Sequence, residues 1–229
     1  MSKHIYLVGG SKGGVGKSMV TMALIDYLQG NGESVVLIET DTSNPDVWKT
    51  YGESTKGELV NLEDADGWIK LINICGDEDN KESTIVINTR AANNQGVQKY
   101  GETLNSTLEE LGRTLIALWV INRQRDSLEL LKDFREALPN ALVHVVRNGY
   151  FGEESKYQLY NGSKIRAAVE ENGGKSLTFP DMADLLADDI YTKRLTIAKA
   201  SADLPIGNRA ELKRWKALAN VMFDEVAKS

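Results

Sequence analysis

The sequence predicts an α/β protein built on one doubly wound, mostly parallel sheet with helices on both faces. Three observations lead there. Short apolar, β-rich runs alternate with helical patterns along the chain. Runs such as Leu115–Ile121 are apolar on both faces, which suits strands covered by helices on each side. A glycine-rich turn also stands between the first apolar run and the first helical pattern, where a strand passes into its crossover helix.

The elements follow in order. Ile5–Gly9 is an unbroken apolar run and reads as the first strand; Lys17–Leu28 has the spacing of a helix. Ser34–Glu39 is the second strand, Thr84–Asn88 the third, Thr114–Ile121 the fourth and Leu142–Arg147 the fifth. Helical patterns over Trp68–Cys75, Val97–Leu111 and Ser127–Leu138 fill the gaps between them. Gly149, Gly152, Gly162, Gly173 and Gly174 break up Asn148–Gly174, leaving one helix over Ser163–Glu171. The last helix, Glu211–Val226, sets Leu212, Trp215, Leu218, Ala219, Met222 and Val226 in one stripe, expected to pack on the sheet. Asp224 and Glu225 in its final turns argue against an interfacial membrane helix. With no internal repeat and no low-complexity linker, residues 1–229 are expected to form a single domain.

Composition narrows the function classes. The chain has 229 residues, 41% hydrophobic and 26% charged, which excludes a collagen, a disulfide scaffold and wholesale disorder. No apolar run approaches the roughly 18 residues of a membrane span, and no signal peptide is read at the start. The one cysteine, Cys75, cannot form an internal disulfide, so a reducing cytoplasm is the expected location. The net charge of −6 is unevenly spread. Residues 31–110 carry 16 acids against 6 bases, and residues 190–229 carry 8 bases against 4 acids. A basic end of this kind can dock on a polyanion, or can simply be a solvated helix face. His4 and His144 lie in apolar strands with no partner at metal-ligand spacing and read as core residues.

The segment that carries chemistry is Ser11–Ser18, SKGGVGKS, directly after the first strand and opening the first helix. Phosphate oxygens need several backbone N–H groups aimed at one point, and a side chain on the loop would block the approach. Gly13, Gly14 and Gly16 around Val15 meet that need, and the helix that begins at Lys17, Ser18 and Met19 adds its positive end. Lys17 would reach the β- and γ-phosphates, and the Ser18 hydroxyl would hold Mg²⁺. The loop departs from G-x-x-x-x-G-K-[ST], because Ser11 replaces the first glycine and a second lysine, Lys12, follows it.

KGGVGKS is similar to the deviant Walker A motif of the ParA/MinD family of ATPases. The resemblance implies a P-loop fold of the SIMIBI type and ATP with Mg²⁺ as ligands. It makes Lys12 the signature lysine that reaches across a homodimer to the partner's phosphates. It also implies an acid pair at the end of the second strand. There Glu39 takes the first place, and Asp41 the second, catalytic and near Mg²⁺. At the end of the third strand the family has an aspartate, but this chain has Asn88. A neutral amide serves hydrated Mg²⁺ less well, so hydrolysis is expected to be slow, and Asn88→Asp to raise it if charge at that site is limiting. Thr89–Gly96 would be the second switch, with Arg90 near the γ-phosphate. By the same resemblance Asn148, at the end of the fifth strand, would bind the adenine edge; Asn148-Gly149 is equally a turn signal. Asn148–Gly152 and Asp41–Asn44 look similar to a TraL/StbB-like branch found on conjugative and mobilisable plasmids.

Three functions compete. The first is an ATP-driven homodimerisation switch with weak hydrolysis stimulated by a protein partner, in plasmid partition, conjugative transfer or positioning. Its doubled basic end (Lys193, Arg194, Lys213, Arg214, Lys216) would contact DNA nonspecifically. The second is an ATP-binding scaffold with negligible turnover. The third is a small-molecule ligase on the same fold, which Lys12 weighs against.

Overall fold

The computed structural model describes residues 3–10, 13–90 and 94–228. The helices and strands begin with β1 (Lys3–Gly10), α1 (Lys17–Gly30), β2 (Val35–Glu39), α2 (Asp46–Tyr51), β3 (Lys56–Leu59), α3 (Ala65–Gly76), β4 (Thr84–Asn88), α4 (Asn94–Leu111) and β5 (Arg113–Ile121). They are followed by α5 (Asp126–Ala137), β6 (Leu142–Asn148), α6 (Gln158–Asn161), α7 (Lys164–Glu171), β7 (Ser176–Phe179), α8 (Asp184–Thr192), α9 (Ile197–Asp203) and α10 (Ile206–Ala227). The strands form one sheet in the order β3-β2-β4-β1-β5-β6-β7, and every neighbouring pair is parallel.

Strand alternation divides the interior into two cores. Tyr6 and Val8 of β1, Leu37 of β2, Val86 of β4 and Leu118 of β5 face one way, toward α1, α8, α9 and α10. Ile5, Leu7, Val36, Ile38, Ile85, Ile87 and Ala117 face the other, toward α3, α4 and α5. Because the alternating side chains of a strand covered on both sides are buried on either face, its middle is apolar at successive positions, which is why Leu115–Ile121 of β5 reads as a continuous run. The parallel register brings all carboxyl ends to one edge, where a ligand crevice forms beside the central strand.

The five expected strands are present, and two more flank them. β3 is a four-residue edge strand, and Lys56-Gly57-Glu58-Leu59 has no apolar periodicity because its outer side meets solvent. β7, also four residues, lies at the other edge. Both are held through backbone pairing, which leaves little trace in side-chain pattern. The last helix starts at Ile206, five residues before the expected Glu211, behind Pro205. Gly207 and Asn208 are weak helix formers and hide that first turn. Asn208 is held there by a 2.8 Å hydrogen bond from its Nδ2 to Asp189 Oδ2.

His144 is a core histidine, as expected. It is fully buried in β6, and its Nδ1 accepts the Lys175 N–H at 3.1 Å. Burial, with the Lys175 charge, lowers its pKa from 6.5 to about 4. The folded protein therefore holds His144 neutral, while the unfolded chain takes up a proton below about pH 6.5. Stability from this site is intact above that pH and falls between pH 6.5 and 4, by about 3 kcal/mol at most. Urea unfolding of the wild type is expected to lose stability more steeply over that interval than unfolding of His144→Gln.

Candidate functional site

The site begins where β1 ends. Ser11 and Lys12 lie outside the described residues. Beyond them Gly14 (φ +76°) and Gly16 (φ +102°) take left-handed conformations that only glycine adopts without strain. A Cβ at Gly14 would meet nothing, so the loop faces open space there. Val15, between the two glycines, is buried in the core with Val8 and Val120 and anchors the loop from below. Gly16 caps α1 without any side-chain hydrogen bond to the helix's first N–H groups. Those donors and the helix dipole point out of the loop and suit a phosphate. Lys17 is buried at the same point. Burial lowers its pKa from 10.5 to about 8, opposed by the negative charges of Asp41 and Glu39. The two carboxylates thus lie in electrostatic reach of the loop lysine. The half-buried Ser18 and the exposed side of Asp41 carry oxygen donors, the type that a hard cation such as Mg²⁺ takes.

The two carboxylates differ in environment. Asp41 lies just beyond β2, and its Oδ1 accepts the Ser43 hydroxyl at 2.6 Å and the Asn44 N–H at 3.0 Å. Partial burial pushes its carboxyl up, but these hydrogen bonds and the charge of Arg90 outweigh it and hold the pKa below the ordinary value. Glu39 is fully buried. Burial raises its pKa from 4.5 to about 7, against hydrogen bonds from the N–H groups of Asp41 and Trp48 and from the Asn88 amide. Asn88 stands opposite Glu39 in the β2–β4 register. Its Nδ2 donates to both Glu39 oxygens, at 3.0 and 3.1 Å, and its Oδ1 accepts the Thr21 hydroxyl from α1 at 2.9 Å. Arg90 pairs with Glu63 at 2.5 Å, while its backbone N–H donates to Thr40 Oγ1 at 2.9 Å.

On the other side of the loop lies a cavity of about 240 Å³, lined by Gly14, Met19, Asn148, Tyr150, Phe179 and Pro180 among others. Asn148 is in its wall, but its amide is already engaged. Nδ2 donates to the Val15 carbonyl at 2.8 Å and Oδ1 accepts the Tyr150 N–H at 3.1 Å. Asn148 thus braces the phosphate loop as well as bordering the cavity, and its bond from the Tyr150 N–H is that of a turn. The Phe179–Met182 wall was not singled out from sequence. Its signal is a short apolar strand stopped by Pro180. α10 fixes that wall: Trp215 Nε1 donates to the Pro180 carbonyl at 3.0 Å, and its ring meets Phe179 edge-on at 5.4 Å.

The basic C-terminal residues are largely paired with acids. Lys193 meets Asp189 at 2.6 Å, Arg214 meets Glu211 at 2.5 Å, and Lys216 meets Asp26 of α1 at 2.7 Å. Three of the five expected DNA-facing cations therefore hold protein carboxylates, which weakens a purely electrostatic patch. A Cβ at Gly16 would stand 2.3 Å from Asn148 Nδ2, in a backbone conformation that disfavours it. Gly16→Ala is expected to displace the Asn148 brace and weaken nucleotide binding by about tenfold or more in calorimetric titration. Its far-UV circular dichroism should stay that of the wild type.

Comparison with known proteins agrees with this geometry. Residues 6–149 match the CobQ/CobB/MinD/ParA nucleotide-binding domain family. The chain is 66% identical to Protein MobD of Acidithiobacillus ferrooxidans over 226 residues, covering 99% of each. It is 24% identical to a Protein TraL of Escherichia coli over 247 residues, covering 97% of this chain and 98% of that one. Among solved structures, the septum site-determining protein MinD from Pyrococcus horikoshii OT3, complexed with Mg-ADP, superposes with a TM-score of 0.60 at 15% identity. That superposition covers 98% of this chain and 97% of the other. The glycine loop at the end of the central strand, in a fold shared with MinD, makes this chain a member of the CobQ/CobB/MinD/ParA nucleotide-binding family.

Proposed function

We propose that the protein is an ATP-dependent dimerisation switch with slow, partner-stimulated hydrolysis. The observation that carries this reading is the uncapped start of α1 behind two left-handed glycines, with buried Lys17 beside two carboxylates. Backbone N–H groups of Gly13–Lys17 would bind the β-phosphate, and Lys17 would neutralise the β/γ oxygens. Ser18 and Asp41 would hold Mg²⁺, which supplies charge neutralisation when bound. Asp41, kept ionised by Ser43 and Asn44, would accept a hydrogen bond from the attacking water. The cavity beside Asn148 and Pro180 would take the adenine.

Lys12 is assigned to the second subunit's nucleotide on the family resemblance. A cation arriving from a partner copy makes the complete site depend on pairing, as an arginine finger does. Slow turnover is supported by Asn88, a neutral residue already committed to Glu39 and Thr21. That commitment also favours the second reading, a scaffold with negligible turnover. The likeness to MobD and TraL supports a role in plasmid transfer, in the cytoplasm, with a protein partner that reads the paired state. Any DNA contact would rest on doubling the C-terminal basic residues across the dimer.

Light scattering with Mg²⁺ and a non-cleavable ATP analogue tests the switch. The wild type is expected to double in mass and Lys12→Ala to remain at the mass of one chain. A wild type that keeps the one-chain mass at saturating nucleotide overturns the switch. Phosphate release below background, with dimerisation intact, selects the scaffold instead.

A further inference from the structure

We propose that the solvent face of α10, with α9 beside it, is a docking groove for an acidic amphipathic helix of a protein partner. This names the chemistry of the partner invoked under Proposed function and rests on that reading. A surface helix ordinarily carries polar residues opposite its buried stripe. In α10 the buried stripe is Leu212, Trp215, Ala219, Met222, Phe223 and Val226. On the opposite side Ile206, Ala210, Ala217 and Val221 share one face, at spacings of four, seven and four residues. Ile206 is 79% exposed and Val221 60%, so both ends of that apolar face stand in solvent. A groove of about 570 Å³ runs there, lined by Ser201 of α9 and by Ile206, Ala210 and Ala217 of α10.

Charge decides what fits the groove. Arg209, Lys213 and Lys216 also line it, at i, i+4 and i+7. Lys216 is held by Asp26 of α1 at 2.7 Å. Arg209 and Lys213 meet no carboxylate among the described residues, although Lys193 and Arg214 nearby in the chain do. The occupant must therefore bring negative charge to two points about 6 Å apart, with apolar surface beside them. A helix with carboxylates four residues apart and alkyl side chains next to them supplies both. Ala210 and Ala217 carry only a methyl group, so the axis of a second helix can come close. From Ile206 to Val221 α10 offers about 22 Å, room for four turns of a partner. Nucleic acid matches less well, because phosphates gain nothing from the alanines and Ile206, and Lys216 is already neutralised. The same Lys216–Asp26 pair sets a docked acid one ion pair away from the helix that begins at the phosphate loop.

The test is a charge swap read by fluorescence anisotropy on the full-length protein. The probe is a labelled helical peptide of about 18 residues with glutamates at i, i+4 and i+7 beside a leucine seam. A scrambled peptide of the same composition and a version with lysine for glutamate are the controls. The wild type is expected to bind the glutamate helix and neither control. Arg209→Glu with Lys213→Glu should weaken that binding about tenfold or more and take up the lysine helix instead. Ala217→Gln, which fills the groove without touching its charge, should weaken the glutamate helix as well. Both sites are on the surface, and unchanged circular dichroism and nucleotide affinity check that the variants fold. A wild type that ignores the glutamate helix or binds the scrambled peptide equally, or a charge reversal without effect, overturns the groove. So does a short DNA duplex that binds the wild type in competition with the peptide, which makes the face a nucleic-acid surface. A mass that doubles without nucleotide and returns to one chain in the reversed variant also overturns it, since a second copy then covers the face. A wild type that doubles in mass with nucleotide yet ignores the peptide loses the groove and keeps the switch.

Discussion

A parallel strand can be paired on both edges only if its crossovers are carried by other elements, and β1 is paired along its length with β4 on one side and β5 on the other. Everything else about the molecule follows from that constraint. The crossovers must cover both faces, so the chain builds two cores separated by strand parity. The carboxyl ends of β2, β4, β1, β5 and β6 must then share one edge. Glycine loop, Glu39, Asn88 and Asn148 are all strand-end residues for this reason. Gly9 and Gly10, the last residues of β1, are also set by packing. A Cβ at Gly10 would come 2.7 Å from the Val120 carbonyl, and one at Gly9 would come 3.0 Å from the Trp119 ring.

Electrostatics then decides which side chains those positions tolerate. A carboxylate removed from water must be hydrogen-bonded on several sides or become protonated. Glu39 receives two backbone N–H groups and an amide, and a lysine stands near. Replacing a donor amide by a second acid would remove two hydrogen bonds and add repulsion at the same spot. The asparagine at 88 thus satisfies the buried Glu39 where a second acid would not.

The carboxyl edge is tied together beyond β6 by a second set of contacts. Arg147, almost fully buried, donates to the Ser176 and Leu177 carbonyls of β7 and meets Glu154 at 2.7 Å. Tyr157 donates its hydroxyl to the Asn148 carbonyl at 2.5 Å. Asn148 carries the link on to Val15. The excursion from Gly149 to Gly162 is therefore fastened to the phosphate loop through Asn148, whose amide spans both. Charged hydrogen bonds from a buried guanidinium to carbonyls are strong, and their loss would leave those donors unpaired.

Much of the fold was legible in the sequence, because β1, β2, β4, β5 and β6 are covered on both faces and a covered parallel strand carries a near-continuous apolar run. The glycine loop was legible too, because open approach to a phosphate admits few residue types. β3 and β7 were hidden, since an edge strand of four residues is made by backbone pairing and its side chains need no pattern. The Phe179–Met182 wall was hidden for the same reason, as it exists only where Trp215 holds Pro180. The sequence also showed an asparagine where an acid was expected and could say only that charge was missing. Register, a property of two strands 49 residues apart in sequence but adjacent in space, put Glu39 against it, and no reading along a single chain contains that distance.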